Sequence, residues 1–164
     1  MDVGYLKIKI DIKSEHDDYK KRYEFKRKEL KRSEIKRVFD GFKEFFKADG
    51  SFKFKENEHS IAAEYKDHDI KLDMDIYKNV DSEDFNLNGT IKTFEKNVYE
   101  FVVEGVCNKD LSLMPPDADT QERMIYDTNF YKDFIEGDIE YTFQYRIAGS
   151  KKAYISMGEM LLAM

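Results

Sequence analysis

The segment 33–50, SEIKRVFDGFKEFFKADG, is the strongest constraint on how this chain folds. Its apolar residues follow the spacing of one helix face, i, i+3, i+4, i+7, i+10 and i+11; they are Ile35, Val38, Phe39, Phe42, Phe45 and Phe46. Ser33 suits an N-cap, and Gly50 suits a left-handed residue after the helix. Four phenylalanine side chains on one face must be buried against another element, most simply a β-sheet. We therefore predict a helix over residues 34–48 that packs on a sheet.

Three segments alternate apolar and polar residues, which is the pattern of a strand with one buried face. These segments are residues 6–12, 70–76 and 139–147. Shorter strands are predicted at residues 52–55, 61–66 and 85–87. The gaps that follow the helix are short, and a parallel crossover needs about a dozen residues, so we predict an antiparallel meander.

Two segments fit either a helix or a strand. Residues 19–30 follow a polar turn at 14–18, and we favour a returning strand there over a helix. Residues 90–104 repeat the helical spacing, although residues 98–106 are rich in strand-forming side chains. The length of this segment exceeds that of most strands, so we favour a second helix that ends near Gly105.

Breaker and turn residues define the rest of the chain. The predicted loops are residues 79–84 and 111–120, the second of which contains both prolines. The other predicted elements are one or two short helical turns within 120–136, a hairpin turn at 148–151 and a returning strand at 153–157. The apolar tail, residues 158–164, packs on the core or contacts a partner, and we favour the core.

These elements predict an α+β fold, with a mostly antiparallel sheet in a single domain over residues 1–164. Cys107 is the only cysteine, so no internal disulfide can form, and we expect a buried thiol in a reducing compartment. The N-terminus lacks the continuous apolar run of a signal peptide. No segment approaches the roughly 18 apolar residues of a membrane span. We therefore expect a soluble, cytoplasmic protein that does not bind membranes.

The charge of the chain is unevenly distributed. Residues 19–38, here called the basic segment, contain ten Lys and Arg against three Glu, whereas the whole chain has a net charge of −6. Such a segment can be a solvated face, can contact an acidic protein or a second copy of the chain, or can contact nucleic-acid phosphates. We favour the solvated face, and the candidate partner contacts within it are Lys20, Lys21, Arg22, Lys26, Arg27 and Lys28.

A second group of candidates is acidic. Asp69, Asp73 and Asp75 share one parity on their predicted strand, so their carboxylates lie on its wet face. Carboxylates at this spacing can hold a divalent cation, but no glycine-containing ligand loop accompanies them, so we predict neither a metal site nor a cofactor. Pairs such as His68 with Asp69, or Glu56 with His59, could support acid–base chemistry. Because the chain carries none of the common catalytic motifs, we predict that it is not an enzyme.

One order of elements resembles that of a known group of proteins. Two strands, an N-capped helix rich in phenylalanine and a meander that opens with Phe52-Lys53-Phe54-Lys55-Glu56 resemble small bacterial immunity proteins, across residues 5–77. These proteins neutralise polymorphic or contact-dependent toxins, including toxins of the wall-associated-protein type. The resemblance implies a non-enzymatic binder that covers the active site of an enzyme, and it assigns no functional residue.

The resulting hypothesis is a protein-binding module, an inhibitor or immunity-type protein whose partner is a toxin or another enzyme. An acidic body attracts a basic target and speeds association with it. Two alternatives stay open: a nucleic-acid-binding accessory protein that uses residues 20–37, and a small enzyme with an unrecognised site. A homodimer is also left open.

Overall fold

The computed structural model describes residues 1–111 and 114–164 of the chain. Within them the fold is α+β, as predicted, with a six-stranded antiparallel sheet. The elements in chain order are α1 (Val3–Lys47), β1 (Lys53–Glu56), β2 (Ser60–Tyr65), β3 (His68–Asp73), α2 (Ile76–Asp81), β4 (Leu87–Lys92), β5 (Val98–Cys107), α3 (Thr120–Glu136), β6 (Tyr141–Ile147) and α4 (Met157–Leu162).

The chain divides into two compact units. The first unit contains residues 1–29 and 107–141, and the second contains residues 30–106 and 142–164. Helix α1 contributes its first part to one unit and its last part to the other. The prediction of a single domain over residues 1–164 stays a prediction.

The sheet of the second unit runs in sequence order, from β1 to β6, without a crossover. The register pairs Ile61 with Leu72, Leu72 with Ile91 and Ile91 with Tyr99, which places these side chains on one face. This arrangement confirms the predicted meander. The connections β1–β2, β2–β3 and β4–β5 are two to five residues long, which is too short for a parallel crossover.

The core of the second unit lies between this sheet and the last part of α1. Ile35, Val38, Phe42 and Phe46 are buried there against strand residues that include Leu72 and Phe101. The predicted apolar face of the helix therefore faces the sheet. The tail also packs on this core, as favoured, because Met157, Met160 and Leu161 of α4 are buried in the same cluster.

The first unit is built on aromatic contacts between α1 and α3. The Tyr23 ring stacks on Tyr131 with centroids 4.6 Å apart and meets Phe130 and Phe134 edge-on. Asp119 caps α3 by accepting a hydrogen bond from the Glu122 amide, and Gly137 ends it with a left-handed φ of 88°. The one or two short turns predicted within residues 120–136 are therefore one continuous helix.

The strands predicted at residues 6–12 and 19–30, and the turn at 14–18, are wrong, because all three segments belong to α1. The helix begins at Val3, where the Asp2 carboxylate accepts a hydrogen bond from the Tyr5 amide, so Ser33 lies inside the helix and caps nothing. An alternating pattern also satisfies a helix: Leu6 and Ile10 are four residues apart and share one side, and Ile8 and Ile12 share another.

The second helix predicted at residues 90–104 is also wrong. This segment contains the end of β4, a tight turn and most of β5. In the turn, the Thr93 amide donates to the Asn97 carbonyl, and Lys96 adopts a left-handed φ of 66°. The segment is longer than most strands because it contains parts of two. The alternation of Phe101 and Val103 on the buried face was the correct signal.

Smaller differences affect the ends of elements. Strand β3 ends at Asp73, and of the predicted loop at 79–84 the first three residues belong to α2, whereas 82–84 follow the helix. The predicted strand at 85–87 begins only at Leu87, and the return at 153–157 is reduced to one bridge between Tyr145 and Tyr154. Residues 112 and 113 of the predicted 111–120 loop lie outside the described residues; residues 111 and 114–119 precede α3 as predicted, and Thr120 is its first residue. The Cys107 thiol is half-buried rather than buried.

Candidate functional site

The face of the sheet that is turned away from α1 carries polar side chains in register. Asp73 of β3 pairs with Thr90 of β4, and Thr90 pairs with Glu100 of β5. Residues paired across antiparallel strands project to the same face, so these three side chains form a row across the sheet. Since neighbouring strands lie about 4.8 Å apart, two carboxylates flank a hydroxyl across roughly 10 Å of this face.

Helix α2 forms one side of the same region, and a buried asparagine attaches it to β4. The Asn79 side chain is 6% exposed. Its Nδ2 donates to the Asn88 carbonyl at 2.9 Å, and its Oδ1 accepts from the Asn88 amide at 2.8 Å. The side-chain amide thus continues the hydrogen bonding of β4 beyond the point where β3 stops.

Asp75 fixes the start of α2. Its Oδ1 accepts a hydrogen bond from the Lys78 amide at 3.1 Å, which is the N-cap interaction. Asp73, two residues earlier, lies 3.6 Å from the Lys71 Nζ on the same face of β3. The change from strand to helix between these residues places both carboxylates beside the row of polar side chains.

These elements enclose a cleft of about 630 Å³, here called the acidic cleft. Four carboxylates and one ammonium group line it, which gives a formal charge of −3: Asp73, Asp75, Asp84, Glu100 and Lys78. Its neutral lining residues include Asn79, Ser82, Asn88, Thr90 and Val102. Within the described residues, no hydrogen bond or ion pair engages the Glu100 carboxylate. Lys71 lies 3.6 Å from Asp73 and Lys31 lies 3.6 Å from Asp84. The cleft therefore favours cations over anions chiefly at Asp75 and Glu100.

The floor of the acidic cleft is held by close packing of the sheet. Gly89 pairs with Phe101, whose ring covers it on the buried face. A Cβ at position 89 would lie 2.6 Å from Phe101 Cζ and 2.8 Å from Met74 Cγ. Only glycine fits under this ring, so the strands beneath the cleft are fixed in position.

The wall at residues 82–84 is held by a lysine of α1. Lys31 is fully buried, and its Nζ donates to the Ser82 carbonyl at 3.2 Å, to Ser82 Oγ at 2.6 Å and to the Asp84 carbonyl at 3.0 Å. The Asp84 carboxylate lies 3.6 Å from the same ammonium group. A buried ammonium group needs such partners, because burial without them is costly.

Of the acidic residues proposed from sequence, Asp73 and Asp75 line the acidic cleft. Asp69 lies outside it, exposed, and pairs with Glu64 at the other end of β3. Sequence reasoning missed Lys78, Asp84 and Glu100. Their positions depend on α2 and on the register of β5, and both segments had been given other secondary structures.

The six basic candidates are all in the first unit, and they do not form one surface. Lys20, Lys21 and Arg22 are exposed. Lys26 instead donates to the Phe134 and Ile135 carbonyls at the end of α3, and Arg27 is only 5% exposed. Lys28 is half-buried. Part of the basic segment thus serves packing and helix capping, and the residues that stay exposed are fewer than the sequence suggests.

The proposed acid–base pairs do not converge on the acidic cleft. Glu56 pairs with Lys43 at 3.0 Å, and His59 Nδ1 accepts a hydrogen bond from the Ile76 amide at 3.1 Å. The Tyr77 hydroxyl donates to Glu58, which raises the pKa of that phenol. His68 packs edge-on against Phe94. Both histidines therefore have structural contacts.

One group of carboxylates in the first unit has the spacing of a metal site. Asp133, Glu136 and Asp138 lie close together at the end of α3, and all three are exposed. Sequence reasoning did not identify this group, and it shares no residue with the acidic cleft.

Among the described residues, no helix combines the length and the apolar character needed to cross a membrane. Comparisons of the chain with protein-family models, with curated proteins and with solved structures found no match.

Proposed function

We propose that this chain is a non-enzymatic protein-binding module of the inhibitor or immunity type, and that its acidic cleft receives lysine or arginine side chains of a basic partner. The observation that carries the proposal is the cleft of about 630 Å³, with four carboxylates against one ammonium group. Complementary charge of this kind steers a basic protein toward the site and fixes its orientation there.

The chemistry of the lining residues supports binding over catalysis. Asp75 already caps a helix, Asp84 lies beside Lys31, and Asp73 lies beside Lys71. Each of these three carboxylates already acts as a hydrogen-bond acceptor or an ion-pair partner. Among the described residues, neither histidine nor cysteine lines the cleft, so it holds no Ser–His or Cys–His pair.

A protein partner is favoured over nucleic acid. The charge of the cleft repels phosphates, and the buried or engaged state of Lys26, Arg27 and Lys31 removes three cations from the basic segment. A toxin or other enzyme with a basic surface at its active site fits the cleft. Bound there, the module would cover that active site.

The test is an affinity pull-down from the native lysate with three tagged proteins: the wild type, a cleft variant and a matched control. The cleft variant is Asp73→Asn/Asp75→Asn/Glu100→Gln, which removes three charges and keeps side-chain shape. Asn at position 75 preserves the N-cap, since Asn and Asp cap helices about equally well. The control, Asp69→Asn, removes one charge from the same strand outside the cleft.

We expect one stoichiometric protein to bind the wild type and the control, to be absent from the cleft variant and to elute as salt is raised. If that protein is an enzyme, the wild type should inhibit its activity and the cleft variant should not. Equal recovery of the partner by the cleft variant, or recovery of nucleic acid alone, would reject the proposal.

A further inference from the structure

We propose that Lys31 is a positioning residue for the acidic cleft: its buried ammonium group holds the 82–84 wall in the place where a basic side chain binds. This inference rests on the proposed function, because it concerns the same cleft. It adds a residue that does not line the cleft and that the sequence placed only within a basic, mostly solvated segment.

Lys31 connects helix α1 to the segment that follows α2. The residue lies on α1 one turn before Ile35, whose side chain is in the core of the second unit. From this fixed position its Nζ reaches three oxygen atoms of Ser82 and Asp84 at 2.6–3.2 Å. Both of these residues line the cleft.

The segment that Lys31 holds begins at the C-terminal end of a short helix. Helix α2 is six residues long, and Ser82 is its C-cap. The carbonyls at the end of a helix have no partner within that helix, so an external donor must satisfy them. Ser82 Oγ also donates to the Asn79 carbonyl or to Asp84 Oδ1, but neither contact ties the wall to α1.

The direction in which Lys31→Met changes the binding of a cationic ligand distinguishes a positioning role from a purely electrostatic one. The ammonium group of Lys31 lies 3.6 Å from Asp84, so its removal makes the cleft more negative. If charge alone mattered, a cationic ligand would bind more tightly to Lys31→Met. If Lys31 positions the wall, the same substitution weakens binding, because the acceptors in the cleft lose their fixed geometry.

The chain offers a matched control for this charge change. Lys78 lines the cleft and is exposed, and within the described residues its ammonium group has no hydrogen bond or ion pair. Lys78→Met removes the same charge without releasing the wall. The ligand is a fluorescein-labelled hexa-arginine peptide at low salt, followed by fluorescence anisotropy.

We expect Lys78→Met to bind the peptide about 2- to 5-fold more tightly than the wild type, and Lys31→Met to bind it at least about 3-fold more weakly. Hydrogen exchange should show faster exchange of the amides of residues 82–86 in Lys31→Met alone. Far-UV circular dichroism confirms that each variant is folded.

If Lys31→Met does not fold, Ser82→Ala replaces it. This variant removes the acceptor that lies 2.6 Å from Nζ and leaves every charge in place, so weaker peptide binding again supports positioning. Unchanged or tighter binding by the folded Lys31 variant, with unchanged exchange at residues 82–86, would overturn the inference. Failure of the proposed function gives a different result: the wild type and the Asp73→Asn/Asp75→Asn/Glu100→Gln variant would then bind the peptide equally.

Discussion

The two faces of the sheet in the second unit differ in what each contributes. One face is buried against α1 and carries side chains such as Leu72, Ile91 and Phe101. The other carries Asp73, Thr90 and Glu100, each next in sequence to a residue of the first face. Because the side chains of a strand alternate, one backbone presents a core and a charged surface at every second residue. Stability and recognition should therefore be separable by single substitutions at neighbouring positions.

The largest effect is expected from the pair Leu72 and Asp73. Leu72 is fully buried, so Leu72→Ala should lower the free energy of unfolding by about 2–5 kcal/mol, from lost burial and the cavity left behind. Asp73→Asn, one residue later, should change it by less than about 0.5 kcal/mol, because exposed ion pairs contribute little.

Urea denaturation followed by far-UV circular dichroism measures both changes in the free energy of unfolding, since the chain has no tryptophan to report unfolding by fluorescence. A loss at Asp73→Asn as large as that at Leu72→Ala would contradict the division between the two faces.

A buried polar contact on the core face should give an intermediate effect. The Tyr145 hydroxyl donates to Glu34 Oε1 at 2.5 Å, and both side chains are buried. Tyr145→Phe leaves this carboxylate without its phenol donor, and it should cost about 1–3 kcal/mol. Tyr154→Phe is the matched control, because the Tyr154 hydroxyl makes no hydrogen bond within the described residues; its cost should stay under about 0.5 kcal/mol.

The same contact predicts a dependence on alkaline pH. Burial, and then the hydrogen bond to Glu34, raise the pKa of Tyr145 above its ordinary value of 10.0. The native state therefore keeps a proton that the unfolded chain loses, so this contribution is complete below pH 10 and is lost as pH rises further. Burial also raises the pKa of Tyr131, to about 12, in both proteins. The wild type should lose stability more steeply above pH 10 than Tyr145→Phe, and equal slopes would refute this assignment.

The same contrast between faces explains what could be predicted from the sequence. The helix over residues 34–48 was predictable because Phe42, Phe45 and Phe46 follow the i, i+3, i+4 spacing, whose step of three residues does not fit one face of a strand. The helix at residues 6–12 was not, because apolar residues at every second position also fall four apart, so Leu6 and Ile10 fit a strand and a helix equally well. In such cases the absence of glycine and proline between Gly4 and Gly41 is the better guide.

The acidic cleft was predictable only in part. Asp73 and Asp75 were identified as neighbours on a wet face, which local parity alone can indicate. Glu100 is distant in sequence, and the register between β4 and β5 brings it beside Thr90. Lys31 was counted within a solvated segment because a single sequence does not show which lysine finds buried carbonyls. Tertiary pairing decides both positions, and neither pairing has a local signal.

The smallest effect on stability is expected at Asp75, whose side chain both caps α2 and lines the acidic cleft. Asp75→Asn keeps the acceptor for the Lys78 amide, so it should change the free energy of unfolding by less than about 0.5 kcal/mol, whereas Asp75→Ala removes the cap and should cost about 1 kcal/mol. Both substitutions remove the same charge from the acidic cleft, so both should weaken hexa-arginine binding to a similar extent. If the two variants have equal free energies of unfolding but bind hexa-arginine unequally, the cap orients the cleft. If they differ in stability but bind the peptide equally, recognition depends on charge alone at this position, as the division between the two faces predicts.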